Sequence, residues 1–213
     1  TKDAFASMAM GIGNLVVNTL TAAIFVWMMA LLWPYRIATL PFTWWTFVLA
    51  FVLYDFVYYW KHRFAHRMRW FWMEHVTHHS SEHYNLTTAL RQTSTGFLLG
   101  WIFYIPMYLL GIPAAVVVTV GSINLIYQFW VHTQLVRRLG VLDRILVTPS
   151  NHRVHHAQNA AYIDKNYGGI LIVWDRLFGT FAEERDDDPV VFGVRKPLAN
   201  WNPIWANLQV YDY

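Results

Sequence analysis

Eight of the chain's ten histidines fall into three short boxes: His62-Arg63-Phe64-Ala65-His66, His75-Val76-Thr77-His78-His79 and His152-Arg153-Val154-His155-His156. Residues three and four apart share one face of a helix, so each box can aim two or three imidazoles at a common point. Neutral imidazole is a ligand for iron, copper, zinc and nickel. Eight aimed rings are twice the four ligands that close a tetrahedral site, so the arithmetic points to two metal ions. Without a cation such a set would strand buried donors and acceptors, and protonation would set the rings against one another.

Further residues are candidates for the same site. His132 ends an apolar run and is expected to supply a ninth ligand. His83 has no partner three or four residues away apart from His79, and is expected beside the ligands or facing substrate. Glu82, Asn151 and Asp164 are candidates to hold the outer nitrogen of a ligand imidazole, as carboxylates do around metal sites. Asp55 either does the same or snorkels outward. Arg91 is expected to face headgroups or a carboxylate. A zinc-protease motif needs glutamate directly after the first histidine of its helix, but Val76 stands there and Glu74 precedes His75. A metal transporter would carry ionisable residues within its spans, whereas these boxes flank apolar stretches. Two redox metals with a position open to dioxygen explain the surplus of ligands better than a closed zinc site.

The elements that must position these residues read as membrane. Hydrophobic residues make up 56% and charged residues 14%, against about 45–50% and about 25% in soluble domains. The 12 Trp and 12 Tyr suit the lipid–water boundary. Four spans are expected, at 11–33, 42–60, 92–110 and 114–131, in two hairpins closed by 34–41 and 111–113, with Pro106 kinking the third. The basic residues Lys61, Arg63, Arg67 and Arg69, and later Arg137, Arg138 and Arg144, mark one side as cytoplasmic. Hairpin parity puts every box on that side, at a bacterial inner membrane or an endoplasmic-reticulum-like membrane.

The expected architecture is therefore all-α and integral to the membrane, a single domain over 1–213. Its cytoplasmic helical cap, residues 61–91 and 132–182, holds a histidine-rich dimetal site. Residues 168–181 should form a buried or interfacial helix, 183–189 a solvated acidic turn, and 201–213 a segment resting on headgroups within the tail 183–213. Trp70, Trp72 and Trp130 are expected either to wall the site from water or to anchor at the interface. A net charge of +3 gives no indication of nucleic acid as a partner. The absence of cysteine rules out disulfides, thiolate metal sites and a cysteine nucleophile. A start at Thr1 without a basic leader reads as a processed or truncated end.

The boxes HRFAH, HVTHH and HRVHH after paired hairpins resemble the fatty acid hydroxylase and sterol desaturase superfamily over residues 54–182. Four stretches, HHSSEHYNLTTALRQ, YQFWVHT, TPSNHRVHH and DKNYGGILIVWDRLFGTF, are similar to its alkylglycerol monooxygenase branch and bacterial relatives. The resemblance implies a membrane di-iron oxygenase that hydroxylates lipid C–H bonds with dioxygen and two electrons from an outside donor, a pterin being one candidate. Lipid desaturation is the alternative within the superfamily, and a non-catalytic metal-binding or metal-transporting protein the alternative outside it. It also implies that His62, His66, His75, His78, His79, His132, His152, His155 and His156 are iron ligands. Two positions depart from the pattern. Gln128 stands where some members carry a further histidine, and Arg67 where the branch carries an acidic residue.

Overall fold

A computed structural model describes residues 1–208. Helix α1, Lys2–Leu32, is 31 residues long and is capped by the Thr1 hydroxyl, which accepts from the Ala4 amide at 3.3 Å. It starts nine residues before the expected span, because the count from residue 11 followed charge-free sequence while Asp3 is accommodated in the first turn. At 1.5 Å per residue it is about 46 Å long, more than a hydrocarbon core of about 30 Å. Helix α1 with the 3-10 turn Trp33–Tyr35 is long and apolar enough to cross a membrane, and its apolar faces are open, with Leu20 75% exposed.

Helix α2, Trp44–Arg67, continues beyond the expected end of its span and carries the first histidine box within the same helix. Two short helices follow, the five-residue α3 (Arg69–Met73) and the four-residue α4 (Val76–His79). The stretch 92–110, expected as one arm of a hairpin, is not one helix. It comprises turns at 94–99, a 3-10 helix over Gly100–Tyr104 and helix α5, Ile105–Leu109. Thr93 and Thr95 bond each other and the local backbone, which competes with helix formation. Pro106 starts α5 instead of kinking a longer helix, as suits a residue with no amide hydrogen to lose in the first turn. Helix α6, Ala114–Trp130, packs against α2, and His132 lies just past its end.

The two expected hairpin turns meet. The Ile37 amide donates to the Leu109 carbonyl at 2.7 Å, and the Leu40 amide to the Gly111 carbonyl at 3.0 Å. Gly111 has φ +84°, and a Cβ there would stand 1.8 Å from the Ala38 carbonyl oxygen, so only glycine fits. A core of Met29, Ala50, Met107, Tyr108, Ile112, Val116 and Val120 lies between the helices behind these turns. The turns are at the start of α2 and α6, while the histidines are at their far ends.

The remaining helices are α7 (Pro149–His155), α8 (Val173–Leu177) and α9 (Pro203–Leu208). Among the described residues the regular elements are helical and β pairing is confined to isolated bridges, one joining Leu146 to Leu171. Residues 168–181 form loop and the short α8 in place of a single helix. Part of the tail expected at the headgroup layer, 209–213, lies outside the described residues. Helix α9 returns to α1, where Ala206 packs with Ala6 and Met10.

Candidate metal centre

Nine imidazoles converge in two adjoining groups. One holds His62, His66, His75, His79 and His155, the other His78, His132, His152 and His156. Within each group one ring nitrogen per residue lies within 4.8 Å of the others. Each box aims two of its imidazoles at a common point, and the second and third boxes send their remaining ring to the other point. Residues four apart stay together, as His62 with His66, His75 with His79 and His152 with His156. The ring three positions along crosses over, so His78 leaves the second box for the four-histidine group and His155 leaves the third for the five-histidine group. Side chains at i+3 and i+4 differ by about 100° around a helix, which is enough to serve two points. The exchange also holds the groups side by side, with the His79 and His156 rings stacked at 4.3 Å.

Backbone carbonyls fix the tautomers. The Nδ1–H of His62 donates to the Tyr167 carbonyl at 2.9 Å, that of His78 to Arg91 at 3.3 Å, that of His132 to Gln128 at 2.6 Å and that of His155 to Lys165 at 3.0 Å. A neutral imidazole has one proton, so in these four rings Nε2 presents a lone pair. Yet Nε2 of His132 lies 3.2 Å from Nε2 of His78, and Nε2 of His155 has no protein partner. The same is true of His66 Nε2 and His152 Nδ1 among the described residues.

The closest nitrogen–nitrogen pairs within the groups run from 2.9 Å for His62–His75 to 3.2 Å for His152–His156. Two nitrogens about 2.1 Å from a shared ion and at about a right angle to it are about 3.0 Å apart. The donor set therefore fits imidazole-bound cations. Burial holds all nine rings below the ordinary histidine pKa, His132 at about 3 and His155 at about 4. Neighbouring imidazoles push rings such as His75 and His156 down further. Neutral rings are the ligating form.

The loop 164–171 supplies two of the orienting carbonyls and is itself tied down. Asp164 and Asn166 adopt left-handed φ values of 61° and 57°, tolerated by these residue types. The Asp175 carboxylate accepts from the Tyr167 and Gly168 amides, both at 2.7 Å, and from the Thr180 hydroxyl. Asp55 does neither of the two things expected of it. It is buried and accepts from the Ile170 amide at 2.7 Å, the Leu171 amide at 3.0 Å and the Trp174 indole at 2.9 Å. It thus anchors the loop to α2 without touching any of the nine clustered histidines.

The other candidates are dispersed. Gln128 holds His132 through its carbonyl and donates its amide to Gly169 at 2.7 Å. Asn151 ties α7 to the carbonyls of Asp143 and Leu146. Asp164 pairs with Arg67 at 2.6 Å near the surface. Glu82 and His83 are exposed, and His83 stacks on Trp201 at 6.5 Å. The structure does not bring either to the imidazoles. Trp72 lies 5.2 Å from His66 and covers that end of the five-histidine group, Trp70 is 70% exposed, and Trp130 packs edge-on against Tyr127.

Sequence reasoning missed Asp3, Arg153 and Asp175. Arg153, inside the third box, grips Glu184 with two bonds of 2.8 and 2.6 Å and donates to the Thr133 and Val136 carbonyls. The acidic turn is therefore only partly solvated. The signal for Asp175 and Arg153 was present in the sequence, as a charge set in an apolar or ligand-bearing run.

The fatty acid hydroxylase family pattern matches residues 47–180, which contain both histidine groups entire. The chain belongs to this family. As a family member it is similar to the alkylglycerol monooxygenase of Danio rerio, 54% identical over 162 residues covering 76% of this chain and 35% of that protein. The alkylglycerol monooxygenase of Homo sapiens is 48% identical over 186 residues, 87% of this chain and 40% of that protein. The ornithine lipid hydroxylase OlsE of Rhizobium tropici is 36% identical over 138 residues, 63% of this chain and 41% of that protein. The chain thus spans between 35% and 40% of the length of these two alkylglycerol monooxygenases. No solved structure matches it.

Proposed function

We propose that this family member is the metal-bearing core of a membrane lipid hydroxylase that uses two irons, dioxygen and two electrons from an outside donor, with alkylglycerol ether lipids as its substrate class. The observation that carries this reading is the convergence of nine neutral imidazoles into two adjoining groups whose lone pairs face one another. The likeness to alkylglycerol monooxygenases supports the substrate class.

The overall change is R–H + O2 + 2e− + 2H+ → R–OH + H2O. Two bound irons would supply dioxygen binding and its reduction, chemistry that side chains alone do not offer. All nine histidines would hold them. Hydroxylation of the carbon beside the ether oxygen gives a hemiacetal, which breaks to an aldehyde and a free glycerol hydroxyl without a separate hydrolytic enzyme.

The chain's own contribution is orientation and the exclusion of water. Carbonyls of Tyr167, Arg91, Gln128 and Lys165 fix which nitrogen of each ring faces inward, and such outer hydrogen bonds also raise ligand basicity. Burial of seven of the nine rings, with Trp72 over one end, keeps competing water from the oxidant. An apolar α1 open to lipid and a site at the C-terminal ends of α2 and α6 suit a substrate that slides from the bilayer. Arginines 63, 67 and 69, with 137, 138 and 144, support a cytoplasmic face for the site. An external reductant, a reduced pterin among them, completes the electron supply.

The test is turnover by iron-loaded full chain in lipid nanodiscs, given dioxygen and reductant, with alkylglycerol, ornithine lipid, fatty acid and sterol offered in parallel. Mass spectrometry should find an aldehyde and glycerol derivative from the alkylglycerol, absent with His78→Ala. No oxidised product from any lipid, or equal product from the variant, contradicts the reading.

A further inference from the structure

Asp3 and Arg91 form an ion pair at 3.1 Å with both side chains 1% exposed, joining the first turn of α1 to the segment that follows the second histidine box. A buried pair of this kind gains little net stability over an apolar pair, because both charges must leave water. It does fix geometry, since removing one partner strands the other. Here nearly every polar atom of the pair is engaged. The second Asp3 oxygen accepts from the Ser81 hydroxyl at 2.7 Å. Arg91 Nε donates to the Thr77 carbonyl at 3.1 Å and the Ser80 hydroxyl at 2.9 Å, and its Nη1 reaches the Ser7 hydroxyl at 3.4 Å.

Arg91 therefore holds the second box from two sides. Its guanidinium grips Thr77 and Ser80, which bracket His78 and His79, while its own carbonyl accepts the Nδ1–H of His78 at 3.3 Å. Close approach reinforces the join, for a Cβ at Gly11 on α1 would stand 2.9 Å from the Leu90 carbonyl oxygen. The grip falls on the one ring of the second box that serves the four-histidine group.

We propose that Asp3 and Arg91 are positioning residues for His78, so that the ion of the four-histidine group is held only when the start of α1 is docked on the second box. In the five-histidine group only His79 lies within the gripped segment, and its ring nitrogen is not bonded by either residue, so the other four rings hold that ion without the pair. This inference rests on the two-metal reading above. It links insertion of α1 to completion of the site, and leaves a chain with an undocked α1 holding one ion.

The experiment is cobalt(II) titration of the full chain in nanodiscs, with bound metal counted per chain and helix content followed by circular dichroism. Wild type should bind two ions. Asp3→Asn keeps the shape of the side chain but not its charge, and should bind one at unchanged helix content. Ser81→Ala removes only the hydroxyl that steadies Asp3, and should bind two with the second about tenfold weaker. Two ions held by Asp3→Asn as by wild type, both ions lost together from Asp3→Asn at unchanged helix content, or an unweakened second ion in Ser81→Ala overturns the inference. Failure of wild type to bind two ions instead overturns the two-metal reading, so the two failures are distinct.

Discussion

His78 and His132 face one another through Nε2 atoms 3.2 Å apart, and each ring has already committed its only proton to a backbone carbonyl. Two lone pairs at that distance repel unless a cation lies between them. The relationship is set by the ends of separate elements, the carbonyls of Arg91 and Gln128, so neither ring can turn away without losing a buried hydrogen bond. Substituting His132 by alanine should lower tightly bound iron from two ions per chain toward one and abolish lipid turnover. Elemental analysis with a parallel product assay checks both.

Acid should undo the site in a defined window. All nine rings have folded pKa values below the ordinary 6.5, with His132 at about 3 and His155 at about 4. Between those values and 6.5 the unfolded chain binds more protons than the folded one, so stability falls as pH drops. Thermal melts should be insensitive above about pH 7 and should decline from about 6.5 downward. Metal loss should follow in the same window, because protons and cations compete for the same lone pairs. A melting temperature that rises toward pH 5 contradicts the assignment of neutral rings.

Asp55 acts at a distance from the imidazoles, through the loop that carries Tyr167. Asp55→Ala leaves the Ile170 and Leu171 amides and the Trp174 indole without their acceptor. The expected cost is about 3–5 kcal/mol of stability, read as a lower melting temperature, with iron content falling second. Equal stability in the variant contradicts the anchoring role.

Gly169 lies where that loop meets α2 and α6. A Cβ there would stand 2.6 Å from the Asn124 side-chain amide and 2.8 Å from Asp55 Oδ1. Overfilling at such a contact costs about 1–3 kcal/mol. Gly169→Ala should therefore destabilise the protein and weaken metal binding, since the Tyr167 carbonyl that orients His62 moves with the loop. Glu82→Gln is the matching control. Its side chain is exposed and does not reach the imidazoles, so bound metal and melting temperature should match wild type.

The gathering of the box histidines was legible in the sequence, because spacings of three and four carry their geometry within a single helix. His132 was legible too, as a polar ring ending an apolar run. The partition into five and four was not, since it depends on how the four-residue α4 and the seven-residue α7 lie against each other. The role of Asp55 was hidden for the same reason, its partners being 115 to 119 residues away. The run 92–110 misled because hydropathy registers apolar content, whereas Thr93, Thr95 and the adjacent glycines decide whether that content is helical. Asp3 was overlooked because a charge ahead of an apolar helix reads as its solvated end, while its ion-pair partner lies 88 residues on.

The account turns on metal count and ligand type together. X-ray absorption on the iron-loaded full chain, combined with elemental analysis, should give two irons per chain in shells dominated by imidazole nitrogen, with the iron–iron contribution lost in His78→Ala. A single iron, an oxygen-dominated shell, or a spectrum unchanged by that substitution would contradict it.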